Sequence, residues 1–225
     1  MDLPFDETFL ATCHIPPERW AQREILATLY ANLCAANAQD NLTRIVDEQD
    51  FYLRHVADSL LLGRALPEIM TADWRVADVG CGGGFPTLPL AWANPELRIT
   101  GIEARGKKVA FVAGQIESLR FINASTLAKQ AREAGRLADH SRQYHVILLR
   151  AVGPAGRMLR EVKGLLSDVP GAMIVHYKTP PAVQDEMALA EREAAKAGLR
   201  VTVSEVVDLP CDAGKRQFLF MSRPG

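Results

Sequence analysis

The chain is short of long apolar runs, of paired cysteines and of net charge, and each shortage removes a class of protein. In its 225 residues no apolar stretch approaches the roughly eighteen that a membrane-crossing helix needs. The opening, Met1-Asp2-Leu3-Pro4-Phe5-Asp6, is acidic where a secretory leader is basic and then apolar, so a soluble, cytoplasmic protein is expected. The cysteines Cys13, Cys34, Cys81 and Cys211 are scattered with no C-x-x-C pair, which suggests neither a disulfide framework nor a zinc site. No internal repeat or low-complexity tract occurs, so the length fits one generous domain or a domain with a helical extension. The net charge of -1 does not advertise a nucleic-acid binder. Its distribution is uneven, however: residues 1–70 carry eleven acids and five bases, and the remainder sixteen acids and twenty-one bases. A polyanionic partner and plain solvated surface charge both fit that asymmetry.

What the chain does concentrate is glycine, in Val76-Ala77-Asp78-Val79-Gly80-Cys81-Gly82-Gly83-Gly84-Phe85-Pro86. An apolar run ending in an acid, then glycines, then a proline suited to a helix start, reads as strand, tight loop and helix. Without Cβ atoms such a loop takes positive φ and approaches a ligand closely. A dinucleotide loop of the G-x-G-x-x-G type wants its third glycine where Phe85 stands. The spacing therefore argues against NAD and resembles motif I of S-adenosylmethionine (SAM) methyltransferases.

Around this loop the chain has an ordered rhythm. Residues 1 to about 15 lack periodicity and are expected to form an irregular arm. From Pro16, Trp20, Ile25, Leu26, Leu29, Tyr30 and Leu33 recur at helical spacing as far as Asn37. A second helix is expected from Glu48 to Leu62, with His55, Asp58 and Ser59 on one face. Strands are expected at 75–79, 98–103, 122–127, 144–149 and 171–177. Helices are expected near 86–93, 106–120, 128–138, 154–166 and 181–197, the alternation of a parallel doubly wound sheet. The last apolar runs, Val201–Leu209 and Gln217–Met221, are too close for a crossover helix and predict an antiparallel hairpin. The fold class is therefore α/β: a Rossmann-like, seven-stranded class I SAM methyltransferase sheet over residues 71–225, preceded by an arm and helical extension over residues 1–70.

In an open parallel sheet ligands bind beyond the carboxyl ends of the strands. That rule selects Gly80, Gly82 and Gly84 after the first strand, Glu103 after the second, Arg150 after the fourth and Lys178 after the fifth. Glu103 offers two acceptor oxygens to the hydroxyls of a ribose, which suits SAM and NAD alike. Asp78 stands before the glycines, near the amino-acid end of such a ligand, placed to orient the loop or accept from an ammonium. Arg150 and Lys178 end apolar strands in cations suited to phosphate or a base edge, and Lys215 and Arg216, at the expected hairpin turn, are candidates to extend that patch. No Asn/Asp-Pro-Pro-aromatic run follows the fourth strand, where Arg150-Ala151-Val152-Gly153-Pro154 stands instead, and no Pro-Cys nucleophile of the cytosine-C5 kind occurs there. The sequence therefore suits an acceptor that already has a free lone pair, and guanine N7 is such an atom.

The pattern as a whole resembles the bacterial small-subunit rRNA methyltransferase G family, also called the glucose-inhibited division protein B family. The residues that carry the resemblance are Asn41-Leu42-Thr43, Arg54-His55-x-x-Asp58-Ser59, the Asp78 to Phe85 loop with Pro86, Pro89 and Leu90, Glu103 with Lys107 and Lys108, Arg150-Ala151-Val152, and Lys178. The resemblance implies SAM-dependent methylation of guanine N7 in the decoding-centre loop of 16S rRNA. It implies that Asp78, Gly80, Gly82, Gly84, Phe85 and Glu103 bind SAM, and that His55, Asp58, Arg150 and Lys178 form the RNA-facing catalytic side. The expected partner is 16S rRNA or the small ribosomal subunit, with the protein a monomer. A SAM methyltransferase for a small molecule or protein, and a non-catalytic RNA-binding assembly protein, are the alternatives from the residues alone.

Overall fold

The computed structural model describes residues 3–40 and 42–224, so Asn41 lies outside the described residues. The N-terminal part is helical: α1 (Glu7–Thr12), α2 (Glu18–Ala21), α3 (Glu24–Asp40), α4 (Glu48–Phe51), a π-helical stretch Tyr52–Ala57, α5 (Asp58–Leu60), α6 (Leu62–Ala65) and a 3₁₀ turn Pro67–Met70. The arm expected before Pro16 is therefore a helix. Asp6 caps it by accepting the Phe9 N–H at 2.9 Å, and Phe9 and Leu10 are buried. Six residues are too few to show helical periodicity, which is why the sequence pattern misses it.

Then strand and helix alternate: β1 (Arg75–Val79), α7 (Thr87–Ala93), β2 (Arg98–Glu103), α8 (Gly106–Ser118), β3 (Ala124–Ala128), α9 (Ala131–Ala134), β4 (Val146–Arg150), α10 (Ala155–Val162), β5 (Met173–Lys178), α11 (Pro180–Lys196), β6 (Arg200–Val203), β7 (Val207–Asp208) and β8 (Lys215–Ser222). The sheet order is β3-β2-β1-β4-β5-β8-β6 with β7 on β8. β1 to β5 are parallel, and β8 runs antiparallel between β5 and β6. The expected hairpin is present, but its first run divides into β6 and β7. Ser204 is the cause: its N–H still donates to the Phe218 carbonyl at 2.9 Å, but its Oγ accepts the Phe218 N–H at 2.9 Å and its carbonyl accepts from Gln217 Nε2 at 3.0 Å, so side chains take half of the pairing there. The helix expected at 128–138 shrinks to α9, because β3 extends to Ala128 and a Gln130–Glu133 capping box delays the start.

Strand alternation builds a core on each face of the sheet. Val76, Leu148, Val175 and Phe218 belong to one cluster with the N-terminal helices, α7 and α8. Ala77, Ile147, Ile174 and Leu219 belong to the other, with α10 and α11. The first cluster runs without a break from Phe5 and Phe9 through Leu29 and Phe51 to the sheet. The π-helical stretch and α5 are thereby fixed at the carboxyl ends of β4 and β5, where Arg150 Nε donates to Asp58 and Tyr177 Oη donates to the Ser59 carbonyl at 3.1 Å.

Candidate active site

The glycine loop leaves β1 with Gly80 at φ 76°, Gly82 at φ 56° and Gly84 at φ 94°. A Cβ on Gly80 would stand 2.6 Å from Val152 Cγ1, and one on Gly84 2.5 Å from Leu88 Cδ1, so a side chain at either position displaces its neighbour and adds the strain of positive φ. Asp78, fully buried beneath the loop, accepts from Thr87 N–H at 3.1 Å and Thr87 Oγ1 at 2.6 Å through one oxygen. Its other oxygen, Oδ1, has no partner among the described residues. Burial pushes its carboxyl up to about 6, with the Thr87 bonds opposing. Burial likewise drives the Cys81 thiol far above its ordinary range, which removes it as a nucleophile.

A cleft of about 420 Å³ opens over the loop. Gly80 to Gly83, Phe85 and Glu103 line it together with Leu42, Thr43, His55, Arg105, Lys108 and Arg150 to Val152. Glu103 accepts the Arg105 N–H at 3.0 Å through one oxygen. The His55 ring stacks on Phe85 at 4.3 Å between centroids and 5° between planes, and its Nε2 lies 3.0 Å from Thr43 Oγ1. Its Nδ1 is buried without a partner among the described residues. Burial, helped by the Arg150 charge, lowers the imidazole to about 3, so the ring is neutral near pH 7.

Arg150 is held from behind. Its Nε donates to Asp58 Oδ2 at 2.7 Å and its Nη2 donates to the Arg54 carbonyl. Asp58, wholly buried, also accepts from Arg216 through Nε, and through Nη2 at 3.3 Å. The π-helical stretch immediately precedes Asp58 and offsets the helix there, and Ser59 Oγ donates to the His55 carbonyl at 2.6 Å. The three residues expected as one polar cluster thus part: His55 enters the cleft, Asp58 holds two guanidinium groups, and Ser59 is satisfied inside the helix. Lys178 does not line the cleft; its Nζ donates to Glu186 Oε1 at 2.8 Å and to Gly153 O at 3.1 Å, which ties the loop after β4 to α11.

Of the residues selected from the sequence, Gly80, Gly82, Phe85, Glu103, His55 and Arg150 meet in the cleft, whereas Asp78, Gly84, Asp58 and Lys178 support it from outside. Thr87 has no part in the sequence reading, and Val152 enters it only within the Arg150-Ala151-Val152 run. Only Thr87's position one turn beyond the glycines could have signalled it, and nothing in the sequence marks Val152 as the reason Gly80 lacks a side chain.

The profile of the family described as rRNA small subunit methyltransferase G matches residues 22–216. The protein named ribosomal RNA small subunit methyltransferase G in Deinococcus radiodurans is 32% identical over 200 residues, covering 89% of this chain and 77% of the relative. That of Deinococcus deserti is 35% identical over 185 residues, 82% of this chain and 73% of the relative. Among solved structures, an O-methyltransferase from Bacillus cereus in complex with SAH has a TM-score of 0.58 at 16% identity, over 87% of this chain and 91% of that one. A SAM dependent methyltransferase from Aquifex aeolicus has a TM-score of 0.56 at 17% identity, over 81% of this chain and 97% of that one. The structural likeness shows a shared fold.

Proposed function

The chain belongs to the rRNA small subunit methyltransferase G family, and from that premise we propose that it transfers a methyl group from SAM to N7 of a guanine in the decoding-centre loop of 16S rRNA. The observation that carries this reading is that one cleft is lined by the glycine loop and Glu103 together with His55 and Arg150. The residues present fit SAM. Three positive-φ glycines open the loop, Glu103 keeps acceptor capacity beyond the Arg105 N–H, and Asp78 Oδ1 is an unused acceptor beneath the loop. Gly80, Gly82, Phe85 and Glu103 hold the cofactor, with Asp78 bracing the loop from beneath and Gly84 shaping the bend. SAM supplies an electrophilic methyl on its sulfonium.

Guanine N7 bears no proton, so the protein has to orient and not to deprotonate. The His55–Phe85 stack forms a flat apolar wall for a base, and its neutrality avoids placing a second cation beside a base that gains positive charge on methylation. Arg150 has Nε and Nη2 engaged, and its Nη1 donates to guanine O6 or to a phosphate. Asp58 and Lys178 are positioning residues, the first for Arg150 and the second for the Gly153 loop.

The test is incubation with labelled SAM and 30S subunits, or 16S rRNA, from cells lacking this methylation. Label at one guanine N7 is expected; its absence, with SAM binding intact, defeats the assignment.

A further inference from the structure

A second cleft, of about 390 Å³, lies at the opposite end of the sheet, beside the amino ends of β4 and β5. Six cations line it, Arg132, Arg136, Arg142, Arg160, Lys163 and Arg223, against one lining acid, Glu161. Asp168 pairs with Arg142 and Arg223, each at 2.6 Å, and Glu193 with Arg160 at 2.8 Å. Arg132, Arg136 and Lys163 are exposed and have no ion pair among the described residues. Cations at helix C-termini are ordinary complements of the helix dipole, which accounts for Arg132 in the last turn of α9 and for Arg160 and Lys163 at the end of α10. It does not account for Arg136, Arg142 and Arg223, which lie outside the helices.

The cleft is also built rather than incidental. The loops after α9 and α10 touch at Gly135 and Gly164, where a Cβ on Gly135 would lie 3.1 Å from the Gly164 carbonyl carbon. Arg142 takes φ 55°, a conformation that disfavours side chains, while its N–H donates to Gly164 O at 2.9 Å. This sets Arg142 beside Lys163 on the rim. Here, too, part of the surplus positive charge of residues 71–225 is gathered.

We propose that this cleft binds the phosphate backbone of the same RNA whose guanine enters the active site, as a second, sequence-independent contact. The proposal rests on the rRNA reading above. β4, whose amino end lies beside the basic cleft, ends at Arg150 in the active site, and five residues of strand span on the order of 17 Å. A folded RNA larger than a hairpin tip can reach both ends, whereas a minimal loop reaches only the active site.

The experiment compares the wild-type chain with the triple variants Arg132→Glu/Arg136→Glu/Lys163→Glu and Arg132→Gln/Arg136→Gln/Lys163→Gln. The probes are full-length unmodified 16S rRNA, a short hairpin carrying the target guanine, and polyglutamate as a non-nucleic polyanion. Affinity for 16S rRNA is expected to fall by about ten-fold or more in the Glu variant, and less in the Gln variant. The salt slope is expected to shrink by about 2 to 3. SAM affinity, the melting transition and hairpin binding should stay at wild-type values. Unchanged 16S rRNA affinity and slope overturn the second contact, as does an equal loss for the hairpin. Polyglutamate bound as tightly as RNA, and released by the same substitutions, would assign the cleft to an acidic polypeptide and overturn the RNA assignment. A wild-type chain that neither binds nor methylates 16S rRNA sinks the underlying reading as well, which separates that failure from a failure of the second site alone.

Discussion

Asp58 joins two cations that the sequence keeps far apart: Arg150, 92 residues away, and Arg216, 158 residues away. A cation ending an apolar strand marks Arg150 from sequence alone, but no local pattern announces which carboxylate holds it. With Asp58 wholly buried, Arg216 keeps it partnered when Arg150 is removed. Arg150→Ala is therefore expected to fold, with a stability loss of about 1–3 kcal/mol, and to keep SAM affinity. Methyl transfer should fall by about a hundred-fold or more, because the acceptor loses its alignment. Calorimetric SAM titration beside a methyl-transfer assay checks this; parallel loss of both would put Arg150 on the cofactor side. A second residue-scale consequence is acid sensitivity. His55 and His176 are buried and lowered from 6.5 to about 3, mainly by desolvation, with Arg150 and Lys178 contributing in turn. Their contributions to stability are present above pH 6.5 and are lost as pH falls from there toward 3. Asp78, raised from 3.8 to about 6 by burial, acts in the opposite sense: its contribution is full below 3.8 and lost as pH rises through 6. Between pH 7 and pH 5 each histidine removes about 2 kcal/mol and Asp78 restores about 1, a net loss of about 3. Urea unfolding at the two pH values measures it, and His176→Leu should cut the loss by about 2 kcal/mol. An unaltered pH dependence in that variant would show that His176 is not held neutral.

The glycine loop shows how one element serves both packing and ligand. At Gly80 a side chain would meet Val152 of the loop after β4, so Gly80→Ala must displace the Val152 side chain, itself part of the cleft lining. Strain at φ 76° adds about 1–2 kcal/mol. The expected result is a folded protein, destabilised by about 2–3 kcal/mol, whose SAM affinity drops by more than about ten-fold. Retained affinity would mean that the loop has room to relax. This element and the strands were legible because their signals are local. β1 and β2 have the boundaries that their apolar runs predict, and the strand-end rule locates Glu103 and Arg150. What was not legible depends on partners distant in sequence. The break at Ser204 needs Phe218 and Gln217 opposite it, and the π-helical stretch Tyr52–Ala57 sends His55 and Asp58 to different neighbours although their spacing predicts a shared face. Lys178 carries the same strand-end signal as Arg150, yet Glu186, one helix start later, holds it outside the cleft.

At the scale of the whole molecule the N-terminal helices and the sheet share one hydrophobic core, so the wall that carries His55 depends on segments that no motif marks. Phe5, Phe9, Leu10, Cys13 and Ile15 are all buried in that core. Their burial contributes at most about 6–12 kcal/mol, comparable to the entire stability of a typical domain at about 5–15 kcal/mol. A chain starting at Pro16 is therefore expected to lose its cooperative melting transition, and SAM binding with it, although it retains every residue of the cleft. Removal of so much apolar surface could act through solubility alone, so a substitution that removes none provides the sharper comparison. A Cβ on Gly63 would overlap the Cys13 carbonyl oxygen, forcing the segment after α1 away from α6. Gly63→Ala should lower the melting temperature by several degrees, about 2 kcal/mol, and loosen α1 while leaving the sheet folded. Hydrogen exchange would show lost protection first in residues 6–15 and then in the π-helical stretch, if the helices act as one layer bracing His55. Lost protection confined to α1, with wild-type methyl transfer, would make α1 a cover that the active site does not need.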